Sequence, residues 1–426
     1  MIPNNFDTAF EQVIGLVNDF NKDLANCNRS DYNESQVRKD YIDKFFIALG
    51  WDVNHEQQRN IYAQEVRVEP TVNVAERVKK ADYSFALAPE FRKIHFFVEA
   101  KKPSIPLETP ANCFQTIRYG YSSSRANLSI LTNFKELIVL DCRYLPDFDT
   151  ATQRIHKRYH FRDLLNFEKF AEIYYLFGRE AVADGTYERV CSELKKPKGR
   201  VKQLKLFADG YKEIDDSFLE MLEGFREELA KNFKKKNPDL DSDDLTEAVQ
   251  RTLDRLVFIR FLEDKLIEPD TILDKFGFKP NAWGQFIAKS RDFDKTYNGI
   301  IFKEHFIDKP GFVVDDRVFL QICDTFAGDR TPYHFNYIPI HILGSIYERF
   351  LGNVIVATAK QARIEAKPEV RKAGGVFYTP QYIVKYIVEN TVGALLRVPP
   401  SGGSLADKKP AKAGTQNAGT QNAVTP

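Results

Sequence analysis

Two short apolar runs joined by a tight connection constrain the front of this chain more than any other feature. Ala81 to Leu87 and Ile94 to Ala100 have strand length, and the link through Ala88 to Arg92 is short enough to make them a hairpin. Residues two apart in a strand point to one face. Glu99 and Lys101 therefore project together, with Phe96 and Val98 on the opposite face. The hairpin brings Asp82, at the start of the first run, beside Glu99.

Around this pair the signals alternate between helix and strand. Val37, Tyr41, Ile42, Phe45, Phe46 and Leu49 have helical spacing, and Gly50 suits the left-handed stop after that helix. Leu128 to Leu131 and Leu137 to Leu140 are further strand-length runs, and Gln115 to Tyr121 between them and the hairpin reads as helix. The order predicts an α/β domain with a small mixed sheet flanked by helices over about residues 1–185. Lys195, Lys196, Lys198, Arg200, Lys202 and Lys205 then fall together without an acidic neighbour, which predicts a basic linker over 186–210, a solvated surface before it is a phosphate contact. From 211 the pattern is helical. Ile214, Phe218, Met221, Leu222 and Phe225 form one stripe, and Leu245, Val249, Leu253, Leu256, Val257 and Ile259 to Phe261 form another, with Asn237-Pro238 breaking the chain between them. An all-α connector over 211–370 is expected, including a helix through Gly344, Tyr347, Glu348 and Phe350 to Gly352. A last amphipathic helix opens at Thr379-Pro380 within 371–397. Residues 398–426 repeat AGTQN, are rich in small and polar residues, and read as disordered.

Charge and cysteine content exclude several classes. The five cysteines are far apart and odd in number, so neither a disulfide framework nor a zinc site is expected. Met1 to Phe20 carries Asp7, Glu11 and Asp19 without an apolar run, so no signal peptide is expected there, and no run of 18 apolar residues predicts a membrane span. A cytoplasmic location is expected, with no membrane partner. The net charge of +1 gives no sign of nucleic-acid binding, nor does it exclude a basic face.

Two carboxylates and a lysine in one place have a definite chemical use. Oxygen ligands suit a hard cation such as Mg²⁺, which activates a water and offsets charge on a scissile phosphate. Lys101 beside it orients that water or meets the developing charge. Such a spacing also fits an exposed hairpin with a surface ion pair. Glu34, just before the helix at Val37, supplies a third carboxylate within reach of the metal. Gln115 and Tyr119, four apart on one helical face, point at the same cleft. His95 shares the face of Phe97, Glu99 and Lys101, and is read as packed rather than functional. Trp51 reads as a core or turn anchor, and Arg226, Arg255 and Arg260 as ion-pair partners more than DNA contacts.

These residues together resemble the PD-(D/E)xK nuclease module of type IIG restriction–modification enzymes, with kinship to type I restriction subunits. Glu34 with Leu49-Gly50-Trp51-Asp52, Asp82, Glu99-Ala100-Lys101-Lys102-Pro103, Gln115 with Tyr119, and Leu131-Thr132-Asn133-Phe134 match the family in order across about 30 to 145. The resemblance implies Asp82, Glu99 and Glu34 as metal ligands, Lys101 and Gln115 as further catalytic residues, Mg²⁺ as cofactor and double-stranded DNA as partner. It continues through LDRLVFIRFLEDKLI, like the family's helical connector, and IHILGSIYERFLG with VRKAGGVFYTPQYIVKYIVENTVG, like the start of its N6-adenine methyltransferase. There Tyr378, Thr379 and Pro380 correspond to a segment lining the S-adenosylmethionine pocket.

The sequence then departs from the family. The Gly-rich turn for S-adenosylmethionine and the Asn-Pro-Pro-Tyr that grips a flipped adenine do not follow. A fragment, a truncated gene or one piece of a split enzyme is expected, with S-adenosylmethionine relevant only once the methyltransferase part completes it and a separate chain carrying the methyltransferase and specificity domains as a candidate partner. Two functions are therefore carried forward: an endonuclease, and a DNA-binding or assembly module whose cleavage is dormant. A helicase-coupled subunit is a third reading, opposed by the lack of a phosphate-binding Gly-x-x-x-x-Gly-Lys-[Ser/Thr] loop.

Overall fold

A computed structural model of the chain describes residues 5–69, 80–123, 125–194, 214–268, 272–327, 330–339, 344, 353–357, 362–366 and 381–393. Two compact units divide at Val376 and Phe377.

The first unit is built on a six-stranded mixed sheet. Strands β1 (Val66–Val68), β2 (Tyr83–Ala86), β3 (Ile94–Ala100), β4 (Leu128–Thr132), β5 (Glu136–Asp141) and β6 (Ile155–His160) lie side by side in sequence order. The expected hairpin is β2–β3, with Tyr83 opposite Val98. Only β3 and β4 pair in parallel among these strands. A parallel pair needs a crossover, and helix Pro110–Ser122 supplies it, with the Thr109 hydroxyl capping the Asn112 N–H at 3.2 Å and Pro in the first turn.

Counting in chain order, the helices of this part are α1 (Phe6–Cys27), α2 (Glu34–Val37), α3 (Asp43–Ala48), α4 (Pro110–Ser122), α5 (Phe167–Phe177), α6 (Arg179–Ala183) and α7 (Thr186–Glu193). Side chains of α1, α3, α5 and α7 share one core with Phe85, Phe96, Val98, Ile130 and Val139 of the sheet. Cys113, Phe114 and Ile117 of α4 pack with Leu131, Ile138 and Leu140 on the other face. Strands β2 and β4 are buried at every position because both faces are covered. The edge strands β1 and β6 and the helix α1 were not among the expected elements. β1 has three residues, and β6 (IHKRYH) is polar at alternate positions, so neither offers an apolar run.

The helix expected from Val37 to Leu49 contains a π turn at Arg38–Ile42, closed by the Asp43 N–H on the Arg38 carbonyl. The spacing explains it. Val37, Tyr41, Phe45 and Leu49 recur every four residues and are all buried. In a regular helix that series drifts by about 120° over twelve residues, and one inserted residue removes about 100° of the drift. The turn thus keeps all four side chains on the sheet. Glu34 is the first residue of α2, behind an Asn33 cap, rather than lying ahead of the helix.

Two boundaries are corrected. Residues 186–193, expected in a basic linker, form α7, and Tyr187 and Cys191 are buried in the sheet's core. The basic run from 195 lies outside the described residues. The connector is not all-α. Helices α8 (Ile214–Lys236), α9 (Ser242–Asp264), α10 (Ala282–Tyr297) and α11 (Asp316–Ala327) are joined by an antiparallel pair, β7 (Asn353–Ala357) and β8 (Ala362–Ala366). Val354, Ile355 and Val356 are β-branched and favour the extended chain. The Ile355 N–H donates to Thr246 Oγ1 of α9 at 3.0 Å. Both predicted stripes are buried except for Phe261, which is half-buried, and Arg255 and Arg260 pair with Asp308 and Asp264 as expected of ion-pair partners. Most of the helix expected around 344–352 lies outside the described residues.

The second unit contains α12 (Gln381–Asn390), which exposes Tyr382 and Tyr386. Tyr378, Thr379 and Pro380 lie outside the described residues. All five cysteines are buried and free. Among the described residues no helix is long and apolar enough to cross a membrane.

Candidate active site

The register of the hairpin builds the site. Tyr83 faces Val98, so Asp82 and Glu99 are the next pair along the ladder. Asp82 is tied across it: its Oδ2 accepts from the Ala100 N–H at 2.7 Å. Its Oδ1 accepts from Arg38 Nη1 at 2.9 Å. Arg38 is buried, donates also to the Glu69 carbonyl at 3.0 Å and to Tyr83 Oη at 3.2 Å, and lies over the Tyr83 ring. It is one helical turn after Glu34, on the π turn, and was not among the expected site residues. Its position four after Glu34 was the available signal.

Lys101 follows β3 directly, anchored by its N–H on the Thr132 carbonyl at 2.9 Å. Its Nζ donates to Glu99 Oε1 and lies 4.0 Å from Glu34 Oε2. Glu34 does reach the site, on the Lys101 ammonium that also pairs with Glu99. Gln115 Nε2 donates to Tyr119 Oη at 2.9 Å, so the two share a face of α4 as spacing predicts. Tyr119 packs on Phe97, two residues before Glu99. His95 does not join the site. Its Nδ1 lies 2.7 Å from Glu188 of α7, and burial holds its pKa below the ordinary value. Trp51 anchors the turn after α3, donating from Nε1 to the Phe177 carbonyl at 2.9 Å behind Gly50 at a φ of 91°.

The electrostatics centre on Glu99. Burial pushes its pKa upward, the Asp82 and Glu34 carboxylates add to the shift, and Lys101 opposes them. Glu99 Oε2 is buried without a hydrogen-bond partner among the described residues. For Lys101, burial lowers the pKa, but Glu99 and Glu34 outweigh it and the net shift is upward. Among the described residues no group of three or more acidic, His or Cys side chains is arranged to hold a metal ion. The lysine instead pairs with Glu99 and lies 4.0 Å from Glu34. The donor chemistry nonetheless fits a hard divalent cation: the unpartnered oxygen and the mutual repulsion of three carboxylates are both relieved by positive charge.

The chain is 30% identical over 387 residues to the type II restriction enzyme and methyltransferase RM.Eco57I of Escherichia coli. The alignment takes in 90% of this chain. This chain is a homologue of a type II restriction–modification enzyme. It spans 37% of that relative's length. A crystal structure of the type IIG restriction endonuclease BpuSI is 15% identical, with a TM-score of 0.18 over 67% of this chain and 28% of that one. No family model matches the sequence.

Proposed function

We propose that this chain is the nuclease-bearing part of a restriction–modification enzyme and hydrolyses phosphodiester bonds of double-stranded DNA with Mg²⁺. The observation that carries the reading is the convergence of Asp82, Glu99 and Lys101, all buried, with the half-buried Glu34 from a third segment on one charge-frustrated point. Asp82 and Glu99 are the proposed metal ligands, with Glu34 beside them once Lys101 moves aside. A divalent cation held there supplies Lewis-acid charge to the phosphate and lowers the pKa of water. Arg38 and the Ala100 N–H fix the Asp82 carboxylate. Lys101 faces the reacting phosphate, where its ammonium opposes developing negative charge. Gln115, held by Tyr119, orients from α4. The nuclease domain is proposed to run from the N-terminus through α7, and the helices from α8 to form the connector.

The test is nicking of supercoiled plasmid with Mg²⁺ by the wild-type chain, Asp82→Ala and Lys101→Ala. Cleavage by wild type alone, with DNA binding kept in all three, is expected. Equal cleavage by all three rejects the assignment.

A second reading is favoured by one observation: Lys101 sits on Glu99 and both Asp82 oxygens already accept hydrogen bonds. This closed arrangement suits a module that is dormant until a further part engages it. That part carries the methyltransferase and specificity domains, on this or on a separate chain, and S-adenosylmethionine, bound near Tyr378, Thr379 and Pro380, would act only in that assembly. Wild-type DNA binding without nicking selects this reading. A cytoplasmic location accords with either.

A further inference from the structure

A segment from the helical part reaches the residues beside the carboxylates. Tyr337, ten residues past α11, accepts the Ala81 N–H on its Oη at 2.9 Å. Ala81 directly precedes Asp82. The Tyr337 ring meets Phe97 edge-on with centroids 4.7 Å apart, and Tyr119 with centroids 5.5 Å apart. Phe97 shares a strand face with Glu99, and Tyr119 holds Gln115. One side chain thus touches all three elements that present Asp82, Glu99 and Gln115.

The segment itself is pinned from both sides. Toward the helical part, Asp264 of α9 accepts the Phe335 N–H at 2.7 Å while pairing with Arg260 at 2.7 Å. Lys265 donates to the Asn336 carbonyl at 2.9 Å. Toward the sheet, the His334 N–H donates to Ser122 Oγ of α4 at 2.9 Å. A Tyr anchored this way has little freedom, so its hydroxyl fixes where the chain enters β2.

We infer that Tyr337 is a positioning residue for the carboxylate site, and that the helical part sets the placement of Asp82 relative to Glu99 through it. This rests on the nuclease reading. Tyr337→Phe removes the hydroxyl and keeps the ring. The Ala81 N–H is then without its acceptor, and the residue that precedes Asp82 is released.

The experiment compares the full chain, Tyr337→Phe and Tyr333→Phe, the last being a hydroxyl deletion in the helical core. Ca²⁺ binding is followed by calorimetry, and Mg²⁺-dependent plasmid nicking gives kcat, KM for DNA and half-saturating Mg²⁺. Tyr337→Phe is expected to weaken Ca²⁺ binding and lower kcat by about tenfold each, as loss of an outer partner does, with KM unchanged and Tm lowered by no more than one unsatisfied buried N–H costs. Tyr333→Phe is expected to leave Ca²⁺ affinity and half-saturating Mg²⁺ as in wild type. Wild-type Ca²⁺ affinity and half-saturating Mg²⁺ in Tyr337→Phe overturn the inference alone. A wild-type chain that neither binds Ca²⁺ nor nicks DNA overturns the nuclease reading and this inference with it.

Discussion

Arg38 and Asp82, 44 positions apart, form a buried ion pair with Nη1 2.9 Å from Oδ1. The pair joins the helix that carries Glu34 to the strand that carries Asp82. Removing one partner leaves the other charge buried and uncompensated, at a cost of about 3 to 5 kcal/mol. Arg38→Ala is therefore expected to lower the free energy of unfolding by that amount. Asp82→Asn keeps an acceptor for the Ala100 N–H and removes the charge. The double variant should cost clearly less than the sum of the singles, because each single strands the same partner. Additive costs in denaturant titration would show that the pair is not coupled.

Lys101 is expected to affect cleavage and cation binding in opposite directions. Its ammonium lies on Glu99 and faces Glu34, so it competes with a divalent cation for the same carboxylates. Lys101→Met removes the charge and keeps much of the side chain's volume. Ca²⁺ affinity measured at pH 8 should rise in this variant, while Mg²⁺-dependent nicking falls by about 100-fold or more. A parallel loss of both would mean that Lys101 supports the fold of the site rather than the reaction.

The sequence made the adjacency of Asp82, Glu99 and Lys101 legible because strand period and a short connection determine register. The Gln115–Tyr119 hydrogen bond was legible for the same kind of reason, a helical interval of four. Arg38 follows Glu34 by one turn, but its carboxylate partner lies 44 positions away, and no local spacing joins the two. Tyr337 was beyond reach: its bond to Ala81 spans 256 positions, and no local pattern encodes that. The α1 stripe of Ala9, Val13, Val17 and Phe20 was visible as periodicity and went unread. The β7–β8 pair was hidden by the helical sequence around it. The π turn emerged only once the drift of a four-residue spacing was set against the need to bury all its members.

Gly120 tests how closely α4, the helix carrying Gln115, lies on the sheet. A Cβ at this position would stand 2.6 Å from the Cys142 side chain and 2.8 Å from the Ala126 carbonyl oxygen. Helix propensity alone favours Gly120→Ala by about 1 kcal/mol. The close approach works against it, because overpacking a filled core costs about 1 to 3 kcal/mol and a backbone carbonyl cannot rotate away. Gly120→Ala is expected to destabilise the chain by about 1 to 2 kcal/mol net, and to lower Tm in calorimetry. A raised Tm would mean that α4 can lift from the sheet at no cost.

The connector carries a pH dependence of its own at Glu263. Burial pushes the pKa of this carboxyl up to about 7, against the opposing pull of Arg260 and of the Ile272 and Leu273 N–H groups. A raised acid pKa means that the folded chain holds a proton the unfolded chain has released. The stability this contributes is fully present below the unfolded value, near 4.5, and is lost as pH rises through about 7. The loss amounts to about 3 kcal/mol at most, from 1.36 kcal/mol per pKa unit. Glu263→Gln keeps an oxygen for the two N–H groups and does not titrate. The stability of wild type relative to Glu263→Gln should therefore fall between pH 4.5 and pH 7 and level off above that range. Denaturant midpoints of the two proteins across pH 4.5 to 8 measure the difference directly, and a difference that is flat or rises with pH contradicts the raised pKa.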